Sequence, residues 1–211
     1  MNIANIPVGF LGTNCYIVSV DSGACAVIDP GAQPEKIITY LDGKGLKAEY
    51  ILLTHGHHDH IGGVKKLMEA YPDAKLRIGE NDIEMLDDTK KSLALDRYDE
   101  SEHFLLEKAE PLHDGDELTL GDLTIRVVAT PGHTKGGVCY VCDDAIFSGD
   151  TLFRGDVGRC DLYGGNYGAL KESLKKLTEL DGDYAVYPGH GADSTLDYER
   201  KNNMYIAEAM Q

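Results

Sequence analysis

The chain has 211 residues, 42% of them hydrophobic and 27% charged, an ordinary globular composition that can bury one sizeable core. No apolar run nears the ~20 residues of a membrane helix, and the start MNIANIPVGFLGTNCY lacks the basic and apolar segments of a signal peptide. The net charge of −16, from 20 basic and 36 acidic residues, repels phosphate backbones and anionic membrane surfaces. A single cytoplasmic domain over residues 1–211, with neither a nucleic-acid nor a membrane partner, is the expectation; oligomeric state is left open.

In chain order, CYIVSV (15–20) and ACAVID (24–29) read as two strands joined by the turn DSG. A helix follows from Pro34, with Ile37, Ile38 and Leu41 on one stripe and Gly43 and Gly45 at its end. YILL (50–53) is a short, wholly apolar strand, which predicts burial on both faces. GGVKKLMEAYP reads as a helix stopped by Pro72, KLRIG (75–79) as a strand and ENDIEMLDD as a helix. Residues 88–110 are polar without a clean period and read as irregular or weakly helical. ELTL, LTIRVVAT, GVCYVC and AIFS then form a hairpin-like strand series. NYGALKESLKKLTEL (166–180) is an amphipathic helix, YAVYPGHG a strand running into a turn, and STLDYERKNNMYIAEAM a closing helix. Strand–helix alternation around strand-rich blocks predicts two packed sheets with helices outside, an α/β class. ILLTHGH and VVATPGH echo one another, as do AVIDPG and AIFSGD, which suggests two related halves with a site between them.

The five cysteines are odd in number and without a secretion signal, so reduced thiols are expected. Cys139 and Cys142 match C-x-x-C but lie in a strand-like run, where i and i+3 face opposite ways. They read as small buried hydrophobes.

Four of the eight histidines fall within THGHHDH: His55, His57, His58 and His60, with Asp59 among them. Neutral imidazole is a metal ligand, and a clump this dense is rarely packing. His55 and His57, spaced i, i+2, share one side of an extended segment. Asp59 and His60 follow once the chain bends, which Gly56, Gly62 and Gly63 are expected to permit. His58 is left facing solvent or contacting a ligand from outside. Three further candidates end apolar strands beside a glycine: His133 in ATPGHTKGG, Asp150 in FSGDTLF and His190 in YPGHGAD. His103 and His113 lack this signature and read as exposed.

These segments resemble the metallo-β-lactamase superfamily, whose mark is T-H-x-H-x-D-H. The early IDPG turn, PGHTKGG, GDTLF and PGHG follow in the family's order, so the resemblance covers nearly the whole chain. It implies an αββα four-layer sandwich of two mixed β-sheets with two divalent metal ions at one edge, zinc first, with iron or manganese as alternatives. By position, one ion takes His55, His57 and His133. The second takes Asp59, His60 and His190, and Asp150 bridges them. The nested glyoxalase II-like group matches most closely, through GDTLFRGDVGR.

Two such ions lower the pKa of a shared water toward neutrality, and the resulting hydroxide attacks a carbonyl. Asp59 is placed to orient that hydroxide as the catalytic carboxylate. No serine-hydrolase elbow is present. A thioester suits the site, because a thiolate with a pKa near ~8.5 leaves without a strong general acid. The expected substrate is a small-molecule thioester of glutathione type. Two departures bear on it. Glyoxalase II relatives carry a helical extension after the last histidine, and this chain ends at Gln211, which implies loose discrimination of the thiol. They also place an aromatic pair where GRCD has Cys160 and Asp161. Arg159 remains as a candidate for a substrate carboxylate, with a structural ion pair as its alternative. GRCD is closer to the G-R-T-D of persulfide dioxygenases, whose single iron would take His55, His133 and Asp150 as a facial triad. A metallohydrolase of another small ester or thioester is a further alternative.

Overall fold

The computed structural model describes residues 1–94 and 108–211. The first sheet sets six strands side by side in chain order: β1 (Asn2–Val8), β2 (Thr13–Ser19), β3 (Ala24–Ile28), β4 (Lys47–Leu53), β5 (Lys75–Gly79) and β6 (Ala109–Leu112). β1, β2 and β3 are antiparallel, and β3 through β6 run parallel. The second sheet holds β7 (Glu117–Leu120), β8 (Leu123–Ala129), β9 (Val138–Cys142), β10 (Ala145–Gly149), β13 (Ala185–Pro188) and β14 (Ser194–Thr195). Its one parallel pair is β10 with β13. A short ribbon, β11 (Leu152–Phe153) with β12 (Asp156–Val157), follows β10.

Parallel neighbours need a crossover, and helices supply it. α1 (Pro34–Lys44) joins β3 to β4, α3 (Val64–Ala70) lies between β4 and β5, and α4 (Tyr167–Thr178) lies between β10 and β13. The four-residue α2 (His58–Ile61) precedes α3, and α5 (Leu196–Asn202) and α6 (Met204–Ala209) close the chain.

Side chains alternate across each strand, and this alternation sorts the core into three layers. Leu52 of β4 packs between the sheets with Ile28, Val127, Tyr140 and Phe147. Its neighbours Ile51 and Leu53 point outward onto Ile37 and Leu41 of α1 and Leu67 of α3. On the far side, Val128, Val141 and Ile146 pack against Leu170, Leu174 and Leu177 of α4. The result is the expected αββα order of layers. Cys139 and Cys142 do face opposite ways, one onto α4 and one between the sheets, and all five cysteines are free. Among the described residues, no helix is long and apolar enough to cross a membrane.

Several expectations need correction. ENDIEMLDD is a 3₁₀ turn, Glu80–Met85, not an α-helix. The closing helix is broken: Ser194–Thr195 pair with β13, and Asn203 interrupts the rest. Asn203 is extended, and its side chain accepts from Tyr205 N (3.0 Å), so it caps α6 instead of continuing α5. Of the stretch 88–110, residues 95–107, with His103, lie outside the described residues, and Ala109–Leu112 is an edge strand. The internal echo is also re-paired. In each sheet an antiparallel hairpin leads into a parallel pair, β2–β3–β4 in one and β9–β10–β13 in the other. AVIDPG thus corresponds to AIFSGD, but ILLTHGH corresponds to AVYPGHG on β13, not to VVATPGH on β8.

Candidate metal centre

The ends of β3, β4, β8, β10 and β13 meet at one edge of the sandwich, and the loops leaving them carry the polar residues. His55 and His57 flank Gly56 just after β4, and the first turn of α2 brings in Asp59 and His60. His55, His57, His60 and His133 are all buried, and His60 is 0% exposed. The expectation that the glycines supply a bend is not met. Gly62 and Gly63 have ordinary helical torsions, and Gly56 is not among the positive-φ residues. Gly56 and Gly63 are needed for room: a Cβ on Gly56 would lie 2.6 Å from Met85 Cβ, and one on Gly63 2.6 Å from Pro30 O.

All seven predicted residues come together. Three overlapping groups, His55–His57–His133, His55–His60–Asp150 and Asp59–His60–His190, each bring their donor atoms within 4.8 Å of one another. His57 Nδ1 lies 2.9 Å from His133 Nε2, and His60 Nε2 lies 3.3 Å from His190 Nε2. Asp150 spans both ends: Oδ1 is 3.5 Å from His60 Nε2, and Oδ2 is 3.5 Å from His133 Nε2 and 3.7 Å from His190 Nε2.

Outer partners aim these rings. The carboxylate of Asp29 accepts from His60 Nδ1 (2.9 Å) and from Thr54 Oγ1 (2.6 Å). Thr54 Oγ1 has then spent its proton and accepts from His55 Nδ1 (3.0 Å). His133 Nδ1 donates to the Arg159 carbonyl (2.7 Å), and His190 Nδ1 to the Leu11 carbonyl (3.3 Å). With the Nδ1 proton held outside, Nε2 of these four rings faces the site as a lone pair, while His57 presents Nδ1. Thr13 Oγ1 donates to Asp59 Oδ2 (3.0 Å), 3.1 Å from His190 Nε2.

The electrostatics favour positive charge at one end. Burial, then the neighbouring imidazoles, hold His55 far below the usual histidine range; burial and then His133 take His57 down to about 3. Burial works against charge on His60 too, but Asp150, Asp29 and Asp59 outweigh it and push that ring up to about 10. Burial would raise Asp59, yet the His190 hydrogen bond and His60 keep it well below the carboxylate range. A divalent cation satisfies the same carboxylates in place of protons. It also answers an otherwise costly feature: His55 Nε2 and Asp150 Oδ1 are buried with no hydrogen-bond partner. Nitrogen and oxygen donors in this number suit a first-row divalent metal.

The other candidates sit elsewhere. His58 is half-buried, with Nδ1 3.9 Å from Asp59 Oδ1, and belongs to none of the three groups. His58→Ala should therefore leave metal content unchanged; metal analysis of the purified variant checks it. His113 is exposed between Glu80 and Asp116, 3.5 Å from each. Arg159 is exposed and makes two 2.7 Å hydrogen bonds to Asp161, the ion pair that was its alternative reading. Its carbonyl, not its guanidinium, touches the site. The sequence reading missed Thr13 and the part played by Asp29, although IDPG stood out as a strand end.

A family model described as the metallo-beta-lactamase superfamily matches residues 8–190. The chain is 35% identical over 210 residues to a probable metallo-hydrolase, YqgX, of Bacillus subtilis, covering 98% of each protein. It is 31% identical over 212 residues to the hydroxyacylglutathione hydrolase GloC of Haemophilus influenzae, again covering 98% of each. Among solved structures, the BLEG-1 B3 metallo-beta-lactamase superposes with a TM-score of 0.87 at 30% identity, over 97% of this chain and 99% of that one. TTHA1623 in a di-iron-bound form gives 0.81 at 34% identity, over 96% and 100%. Two mixed sheets that converge on a shared histidine–aspartate edge, and a family match that runs from β1 to His190, have one reading: this chain belongs to the metallo-β-lactamase superfamily.

Proposed function

We propose that the protein is a dinuclear metal-dependent hydrolase of small-thiol thioesters, with His55, His57 and His133 holding one ion, Asp59, His60 and His190 the other, and Asp150 shared. The observation that carries this reading is the reach of Asp150 to both groups, with buried donor atoms otherwise unpartnered. Zinc is the first choice; iron is the alternative, and the di-iron form of TTHA1623 supports keeping it. When bound, such ions supply hydroxide near neutral pH and polarise the carbonyl under attack.

The chain's own residues do the rest. Asp59, held by the Thr13 hydroxyl, presents a carboxylate oxygen to the attacking water and accepts its hydrogen bond, which fixes the direction of attack. Beside it lies a cavity of about 290 Å³ lined by Phe10, Leu11, Thr13, Ala32, His58 and Asp59. Its size and mixed lining suit a small acyl group rather than a polymer. Arg159 can take a substrate carboxylate by exchange with Asp161, which costs little because exposed ion pairs contribute little. The likeness to the hydroxyacylglutathione hydrolase GloC of Haemophilus influenzae supports an acylated glutathione as the substrate.

Asp59→Asn should lower kcat by at least about 100-fold while KM changes less than about 3-fold, since the group acts on the reacting water. The deciding experiment assays the zinc-loaded protein against lactoylglutathione, with and without chelator. Hydrolysis that is lost on chelation and restored by metal supports the reading. A second reading, a mononuclear-iron persulfide dioxygenase using His55, His133 and Asp150, is favoured by GRCD at 158–161. One iron per chain, oxygen consumed with glutathione persulfide and lactoylglutathione left intact would select it.

A further inference from the structure

The 3₁₀ turn Glu80–Met85 is wedged between the two loops that carry the three-histidine group. It meets them without clearance: a Cβ on Gly136 would lie 2.3 Å from Asp82 N, one on Gly79, just before the turn, 2.0 Å from Gly136 O, and one on Gly56 2.6 Å from Met85 Cβ. At the centre of the wedge, Asp82 is 0% exposed. Its carboxylate accepts three hydrogen bonds. Oδ2 takes the Gly56 N–H (3.1 Å) and Thr134 Oγ1–H (2.6 Å), and Oδ1 takes the Gly136 N–H (2.6 Å). Gly56 is the residue between His55 and His57, and Thr134 directly follows His133. One carboxylate thus grips the backbone or neighbour of all three imidazoles, from the first sheet on one side and the second on the other. It belongs to none of the ligand groups and has no place in the proposed chemistry.

We infer that Asp82 is a positioning residue that templates the His55–His57–His133 group, fixing its geometry for a metal ion that Asp82 does not touch. Apart from the direct approach of His57 Nδ1 to His133 Nε2 (2.9 Å), no other side-chain hydrogen bond among the described residues ties the β4–α2 loop to the β8–β9 loop. The inference rests on the metal-site reading, not on the choice of substrate. Burial pushes the Asp82 carboxyl above the ordinary range, and the three donors oppose this. All three partners donate, so Asp82→Asn turns an amide N–H toward at least one of them and separates the two loops without emptying the space.

The test is metal binding by the full-length protein, measured by chelator competition with zinc and by the visible absorption of the cobalt(II)-loaded form. In Asp82→Asn, one of the two equivalents should bind roughly 10- to 100-fold more weakly, the usual cost of losing an outer support of a metal ligand, and the cobalt spectrum should change. Thr134→Val removes one of the three bonds and should weaken the same equivalent several-fold; Thr134→Ser should restore it. If Asp82→Asn does not fold, the Thr134 pair decides, and an unchanged Thr134→Val overturns the proposal. A variant that melts earlier but binds both equivalents with wild-type affinity and spectrum also overturns it, and makes Asp82 a scaffold residue only. A wild type that binds no divalent ion overturns the metal reading along with it, whereas failure to hydrolyse a thioester leaves it standing.

Discussion

Asp150→Ala should yield a folded chain that has lost at least one metal ion and more than about 100-fold in hydrolytic activity. Asp150 follows β10 directly, and its two oxygens reach toward His60 at one end of the site and toward His133 and His190 at the other. No other carboxylate of the site spans both groups. Without it, two cations a few ångströms apart face each other with no negative charge between, and like charges at such separations repel by several kcal/mol at the dielectric of a protein surface. The loss should therefore exceed the roughly 10- to 100-fold cost of removing an outer partner of a ligand. The fold should survive, because Oδ1 makes no hydrogen bond that holds the scaffold. Metal stoichiometry, activity and the circular dichroism of the same preparation check this. Two ions per chain in the variant would remove Asp150 from the bridging position.

Asp29→Ala should have the largest effect on stability, about 3–5 kcal/mol, by the mechanism of breaking a buried charged pair. Asp29 is 2% exposed and accepts from Thr54 N (2.8 Å), Thr54 Oγ1 (2.6 Å) and His60 Nδ1 (2.9 Å). Alanine leaves all three donors buried without a partner. It must also adopt a φ of 51°, which an aspartate tolerates better than an alanine. For a chain of this length, the loss corresponds to a fall in Tm on the order of 10 °C. Metal affinity should fall with it, since His60 and His55 both take their orientation from this carboxylate, directly or through Thr54. Asp29→Asn keeps the left-handed torsion and part of the hydrogen bonding, so it should fall between. Thermal unfolding of the three chelator-treated proteins measures the series. A Tm within 2 °C of wild type for the alanine variant would show that Asp29 is dispensable to this edge of the fold.

Much of the architecture and of the candidate site was legible in local patterns. YILL declared a strand buried on both faces, because four successive apolar residues leave no polar side for solvent, and β4 does split Ile51 and Leu53 from Leu52 between two cores. THGHHDH declared a site because histidines two apart in extended chain share a side and because apolar packing does not ask for them. His133, Asp150 and His190 were legible as polar residues placed at the ends of apolar strands. The 3₁₀ turn at Glu80 and the break at Asn203 were not, because both segments carry helix-like periodicity and tertiary contacts decided otherwise.

By itself the sequence determined the class of fold, the main strands of both sheets apart from the edge strands β1, β6 and β14, and which histidines and aspartates are candidates for the shared edge, since each of these is written within a few neighbouring residues. The tertiary structure alone decided that AVYPGHG, not VVATPGH, matches ILLTHGH, for that follows from which strand pairs with which. It alone decided which nitrogen each histidine turns inward, through Asp29, the Arg159 carbonyl and the Leu11 carbonyl. It alone brought Thr13 to Asp59 across 46 residues and Asp82 to Thr134 across 52. Such hydrogen bonds depend on closeness in space between segments far apart in the chain, and neither partner leaves a periodic or compositional mark where it stands.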